Sequence, residues 1–256
     1  MPAIAPLHAL GAFLAAFLAG AINSVAGGGT LLTFPTLIWL GLSSVTANAT
    51  STVAVWPGSL GSVWGYRRDL ESTSPRLLAL IVPSLVGGIA GALLLRRTPA
   101  AVFDRLVPFL ILGATLLFLL QRPVQRWLQT GGHAHRSAAW LAGAMVFQFA
   151  VAIYGGYFGA GIGILMLAAL STLGLTNIHQ MNGLKNFFAL CINGVAAVYF
   201  IWNRMVYWPD VLIMATGAVA GGYGGAGVAR RLGPVVVRRI VIAVGFGMAV
   251  SLFVKN

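Results

Sequence analysis

Ten apolar runs follow one another through this 256-residue chain, and their length restricts the fold more than any other feature. They occupy residues 7–22, 29–42, 45–66, 77–95 and 102–120. Beyond a polar interval at 121–137 come 138–158, 159–175, 183–202, 211–229 and 235–254. Several reach the ~20 residues needed to cross a hydrocarbon core as a helix. Where no water satisfies backbone groups, helices are the default; barrel strands would be ~10 residues long and alternating. Asp, Glu, Lys and Arg make up only 8% of the residues, against about 25% in soluble domains. A chain of this size with so little charge has nothing with which to cover a surface in water. Its mean hydropathy of +0.90 agrees. The sequence predicts an all-α, polytopic integral membrane protein of about 8–10 helical segments.

The remaining charges mark loops. Arg67, Arg68 and Arg76 lie in one interval, and Arg96, Arg97 and Arg105 in the next. Arg122, Arg126 and Arg136 are central, and Arg230, Arg231, Arg238 and Arg239 lie near the end. The net charge of +12 is therefore a topology signal and not the basic face of a soluble nucleic-acid-binding domain. With five spans per half, loop Lys and Arg divide about ten to five between the two sides; with four, about eight to seven. The positive-inside rule favours five plus five, with both termini outside. The single cysteine, Cys191, excludes a disulfide framework or a Cys metal site. His133 and His135 stand in a loop without further ligands, so neither metal nor cofactor is predicted. The four acids, Asp69, Glu71, Asp104 and Asp210, fall at the edges of apolar runs. Ala19-Gly20-Ala21 resembles a signal-peptide cleavage site, but the charged leader of such peptides is missing. That segment has a counterpart in the second half and is read as structure.

The two halves repeat. A constant offset of 134 maps Gly27 and Gly29 onto Gly161 and Gly163, and Asn48 onto Asn182. It also maps Gly87, Gly88, Gly91 and Ala92 onto Gly221, Gly222, Gly225 and Ala226, and Arg96-Arg97 onto Arg230-Arg231. Duplication with glycine-interrupted segments at corresponding positions is a signature of secondary transporters. Residues 1–121 form the first predicted repeat, 122–136 a connecting loop and 137–256 the second repeat, within one membrane domain. Five spans per half would make the repeats inverted.

Two stretches carry a family resemblance that covers nearly the whole chain. Residues 19–52, AGAINSVAGGGTLLTFPTLIWLGLSSVTANATST, show a glycine triplet, a proline six residues on and an Ala/Thr-rich helix start. Residues 155–186, GGYFGAGIGILMLAALSTLGLTNIHQMNGLKN, contain the more specific core GYFGAGIGILML, and GAGVARRL follows later. In these features the chain resembles the sulfite exporter (TauE/SafE) family. The resemblance implies an inner-membrane transporter of sulfite or small organosulfonates, although such motifs follow fold better than substrate.

The residues themselves suggest where a solute would bind. Gly27-Gly28-Gly29 and Gly159-Ala160-Gly161-Ile162-Gly163 are predicted to break helices inside the membrane, since glycine tolerates φ > 0. Broken helices expose N-terminal amides that attract anions, and Asn23, Ser24 and Thr30 flank the first cluster. Gly87, Gly88, Gly91 and Gly221, Gly222, Gly225 are read instead as close-packing positions. Asn182, Lys185 and Asn186 share one helix face by their spacing, which Asn193 extends; Asn48, Thr50, Ser51 and Thr52 are the counterparts. Amides and hydroxyls donate to oxyanions, and an ammonium supplies charge. Lys185 is the one cation with more than ten low-charge residues on both sides. A helix starting near Asn177 places it ~12 Å deep, a long reach for snorkelling. The predicted substrate contacts are Asn23, Gly28, Gly29, Thr30, Asn48, Thr50, Ser51, Gly161, Gly163, Asn182, Lys185 and Asn186. Trp56, Pro57 and Gly58 fall mid-run, where a kink is expected.

No acid lies deep in an apolar run, so the carboxylate relay common in proton-driven pumps is missing. Nor is there a Ser/Lys, Asp/Asp or His-Glu-x-x-His arrangement for an intramembrane enzyme. The sequence points to a secondary transporter that exports a small anion by alternating access between the repeats. An importer of another small organic anion and a passive anion channel are the alternatives. The expected partners are the solute, the bilayer and, at most, a second copy of the chain in a homodimer.

Overall fold

Each apolar run carries a helix in the computed structural model, which describes residues 6–25, 28–71, 73–129, 138–173, 175, 177–232 and 234–255. In chain order these are α1 (Pro6–Val25), α2 (Thr30–Trp39), α3 (Ser44–Gly65), α4 (Arg67–Leu70), α5 (Pro75–Leu78), α6 (Ile81–Arg97) and α7 (Ala100–Gln129). They continue with α8 (Ala138–Tyr157), α9 (Ile162–Thr172), α10 (Ile178–Trp202), α11 (Trp208–Leu232) and α12 (Pro234–Lys255). Two further four-residue helices precede α6: α4 lies in the polar interval after α3, and α5 leads into the fourth run. No strand occurs among the described residues.

The fold is apolar on its outside as well as its inside. Leu7, Val146, Trp202 and Val254 are each at least 70% exposed, an arrangement that water would penalise and lipid does not. Phe34, Phe103, Phe118, Phe158, Phe188 and Phe200 fill the interior. Three stretches are long and apolar enough to cross a membrane by length and composition alone: Pro6–Asn23, Ala100–Leu120 and His179–Trp202. At 10 and 11 residues, α2 and α9 are only ~15 Å long, about half a hydrocarbon core.

Those two short helices follow backbone breaks at the glycine clusters. α1 stops at Val25 and α2 begins at Thr30, with Gly28 at φ 106° between them. A Cβ there would lie 2.8 Å from the Phe118 ring, so conformation and space both favour glycine. α8 stops at Tyr157 and α9 begins at Ile162, with Gly159 and Gly161 at φ 79° and 80°. Gly27 lies outside the described residues.

Glycine also sets how the long helices pair. α1 packs along α11, and α6 along α8. At Gly87 a Cβ would come within 2.7 Å of the Phe149 carbonyl, and at Gly91 it would overlap the Ile153 carbonyl; both oxygens belong to α8. At Gly217 it would meet the Phe13 carbonyl of α1 at 2.5 Å, and at Gly221 it would overlap that of Phe17. Backbones this close are the geometry of small-residue membrane interfaces. Gly91→Leu should therefore push α6 off α8. Overpacking costs roughly 1–3 kcal/mol, which corresponds to a fall of about 2–12 °C in Tm, readable by thermal denaturation in detergent.

A histidine–carboxylate pair sits inside this packing. His8 of α1 meets Asp210 of α11 through Nε2 and Oδ1 at 2.7 Å, and Asp210 is wholly buried. Asp210 occupies the edge of its apolar run as the sequence suggests, yet tertiary packing of α1 over the start of α11 removes it from solvent.

Candidate functional site

Two long helices bring the polar residues together. α10 starts where its sequence contains a cap: the Asn177 side chain accepts hydrogen bonds from the amides of His179 and Gln180 at 2.9 and 3.3 Å, satisfying donors a helix start leaves unpaired. From that start, Lys185, Asn186, Ala189 and Asn193 follow at helical spacing. α3 presents Thr52, Val55, Ser59 and Ser62 in the same way. All eight line one cavity of about 50 Å³, which the two helix breaks close with Asn23, Gly28 and Thr30 on one side and Gly159, Ile162 and Gly163 on the other. A single water needs ~10–15 Å³ of such space, so the cavity has room for a few waters or one small polyatomic ion.

The lining is rich in unmet hydrogen-bonding capacity. Lys185 is 1% exposed, and its Nζ has no hydrogen-bond partner. The Nδ2 of Asn186 and the Oγ of Ser62 are likewise buried and unpartnered. Buried polar groups are normally hydrogen-bonded, and an exception needs an explanation. Here three converge on one space, and an ammonium, an amide and a hydroxyl are all donors. An oxygen-bearing anion would satisfy all three at once.

Of the twelve residues singled out from the sequence, six line the cavity: Asn23, Gly28, Thr30, Gly163, Lys185 and Asn186. Gly29 and Gly161 sit just behind it as the residues preceding α2 and α9. Gly29 donates its N–H to Oδ1 of Asn23 at 2.7 Å, so this amide is already engaged within the protein. Ser51 pairs with Thr33 at 2.6 Å, and Thr50 Oγ1 accepts the Tyr207 amide at 3.0 Å. Asn48 donates through Nδ2 to the Tyr157 carbonyl at the end of α8, at 2.9 Å. These three are buried in helix contacts, away from the cavity. Asn182 stands one turn before Lys185, its Oδ1 buried and unpartnered, and is also outside the lining.

Ser59 and Ser62 were missed. Their signal is present: they continue the period that starts at Thr52, on the far side of Pro57, where a kink is expected. α3 runs on through Pro57, and the polar face runs with it. Beside that proline, the Trp56 indole donates to the Leu190 carbonyl of α10 at 3.1 Å, fixing the two lining helices against each other.

Comparison with known proteins agrees over almost the full chain. The family described as sulfite exporter TauE/SafE matches residues 12–252. A probable membrane transporter protein of Haemophilus influenzae is 26% identical over 240 residues, covering 94% of this chain and 92% of that one. The probable membrane transporter protein YfcA of Escherichia coli K12 is 29% identical over 241 residues, covering 94% and 87%. A third, the probable membrane transporter protein ORF9 of a Sinorhizobium species, is 25% identical over 240 residues, covering 94% and 90%. No match to a solved structure was found.

Proposed function

Because the chain belongs to the sulfite exporter TauE/SafE family and is a multi-pass membrane transporter, not an enzyme, we propose that it exports a small oxyanion, sulfite or an organosulfonate, by alternating access around the cavity between α3 and α10. The observation that carries this reading is the buried, unpartnered ammonium of Lys185 in a cavity closed by both helix breaks. A lysine at such depth costs ~2.5–3.5 kcal/mol on insertion scales, and an anion is the ligand that offsets it.

The halves 1–121 and 137–256 act as the two repeats, joined by 122–136. The cavity lining supports this: Thr52 and Asn186, Val55 and Ala189, and Ser59 and Asn193 all line it, and each pair is separated by the repeat offset of 134. Trp56 and Leu190, which share a hydrogen bond, are separated by the same offset. Counterpart residues meet only near an axis relating the halves, so the solute would sit on that axis.

Export needs no carboxylate relay at the site. For an anion leaving a cell with a negative interior, the potential contributes ~2.3 kcal/mol per charge per 100 mV. Reconstituted into proteoliposomes, the protein should give saturable flux of sulfite, carried as hydrogensulfite, or of a monosulfonate, and this flux should grow when the compartment losing the anion is made negative. Flux that rises without saturation would identify a passive channel, and no anion flux at all would sink the proposal.

A further inference from the structure

Among the described residues, the cavity offers one positive charge. Lys185 is the single titratable residue in its lining; every other contributor is an amide, a hydroxyl, a glycine or an apolar side chain. Among the described residues, no second cation supports it from outside the lining. Among the described basic side chains, Arg67, Arg68, Arg96, Arg97, Arg105, Arg204 and Arg239 are all exposed, and Lys185 alone is buried. The buried acid, Asp210, faces His8 between α1 and α11 and not the cavity.

We infer that this site selects monovalent oxyanions over divalent ones, with Lys185 as its counter-charge. The inference rests on the anion-transport reading above and sharpens it. A monovalent anion beside Lys185 makes a neutral pair, and the unpartnered Asn186 Nδ2 and Ser62 Oγ take its remaining oxygens. A divalent anion would leave one unit of charge uncompensated, surrounded by protein and lipid. An unpaired charge in such surroundings is far more costly than one in water. Val55, Ile162 and Ala189 give the rest of the wall an apolar character, which suits a hydrogen or a short alkyl group in place of the second charged oxygen.

The test is equilibrium binding to the purified full-length protein in nanodiscs at constant ionic strength. The probes are methanesulfonate and sulfate, tetrahedral sulfur oxyanions of similar size and different charge. Methanesulfonate should bind about tenfold tighter than sulfate or better, and Lys185→Gln should abolish its binding. Introducing a second cation at a half-buried lining position, Ser59→Lys, should raise sulfate affinity and narrow or invert the ratio. Asn193→Lys, at the counterpart position across the cavity, provides the same comparison if Ser59→Lys does not fold. Sulfate binding as tightly as methanesulfonate to the unmodified protein would overturn the charge selectivity while leaving anion transport intact. Absence of binding by either probe, together with absent sulfite flux, would remove the anion-transport reading itself.

Discussion

Replacing Lys185 by Met should abolish transport and make the protein more stable at the same time. The two effects have one cause. With the site empty, Nζ is buried without a partner, and removing it relieves a cost of ~2.5 kcal/mol or more on insertion scales. Met has similar length and no charge, so the cavity wall is preserved. Tm should rise by about 5–10 °C for a chain of this size. With solute present, the same substitution removes the counter-charge that Lys185 supplies, a loss of ~2–5 kcal/mol for a buried charge pair. Sulfite flux in proteoliposomes should therefore fall about 30-fold or more. Lys185→Arg keeps the charge but needs more room, and should retain part of the flux. A lysine that merely snorkels to the headgroups predicts the reverse pattern: little change in flux and little gain in Tm. Unchanged flux in the Met and Gln variants would end the case for Lys185 as a solute ligand.

How far this site was readable in advance differs from residue to residue, for physical reasons. Lys185 stood out because lysine is costly in an apolar run and the Asn177 cap fixed its depth. The helix breaks were visible because glycine is the residue that tolerates positive φ, and Gly28, Gly159 and Gly161 adopt it. The stripe on α3 was only half legible. Thr50 and Thr52 are two residues apart, ~200° around a helix, so both cannot face one cavity, and sequence does not say which does. The choice is made by Tyr207, whose amide reaches Thr50 from a loop 157 residues away. Thr33 settles Ser51 in the same manner. Neither partner has a local signal. Asn48 was chosen as a donor and is one, but it donates to the Tyr157 carbonyl. Such carbonyls are left unpaired where a helix ends, so a broken helix consumes some of the polar residues that seem available to a ligand. The depth of Asp210 was hidden for the same reason, since its partner lies 202 residues earlier.

That distant pair supports the second large effect. His8→Leu should destabilise the fold, and His8→Leu combined with Asp210→Leu should recover most of the loss. His8 supplies the hydrogen bond to Asp210 Oδ1, while Oδ2 is already buried without a partner. Without His8, neither oxygen of a wholly buried carboxylate has a side-chain partner. Breaking a buried pair in this way typically costs 3–5 kcal/mol, whereas exchanging the whole pair for apolar residues is often neutral or stabilising. His8 is 22% exposed, so water can reach part of the vacated space and the lower end, about 3 kcal/mol, is the better expectation. For a chain of this length that is a fall of about 6–12 °C in Tm. Asp210→Asn should lie between, because the amide carries no charge and its oxygen still accepts from the imidazole. The order of the four proteins separates the explanations. If His8 matters only through packing, the double variant stays as unstable as His8→Leu. If the buried carboxylate is the cause, removing it restores the contact between α1 and α11, and with it the α1 residue Asn23 that helps close the cavity.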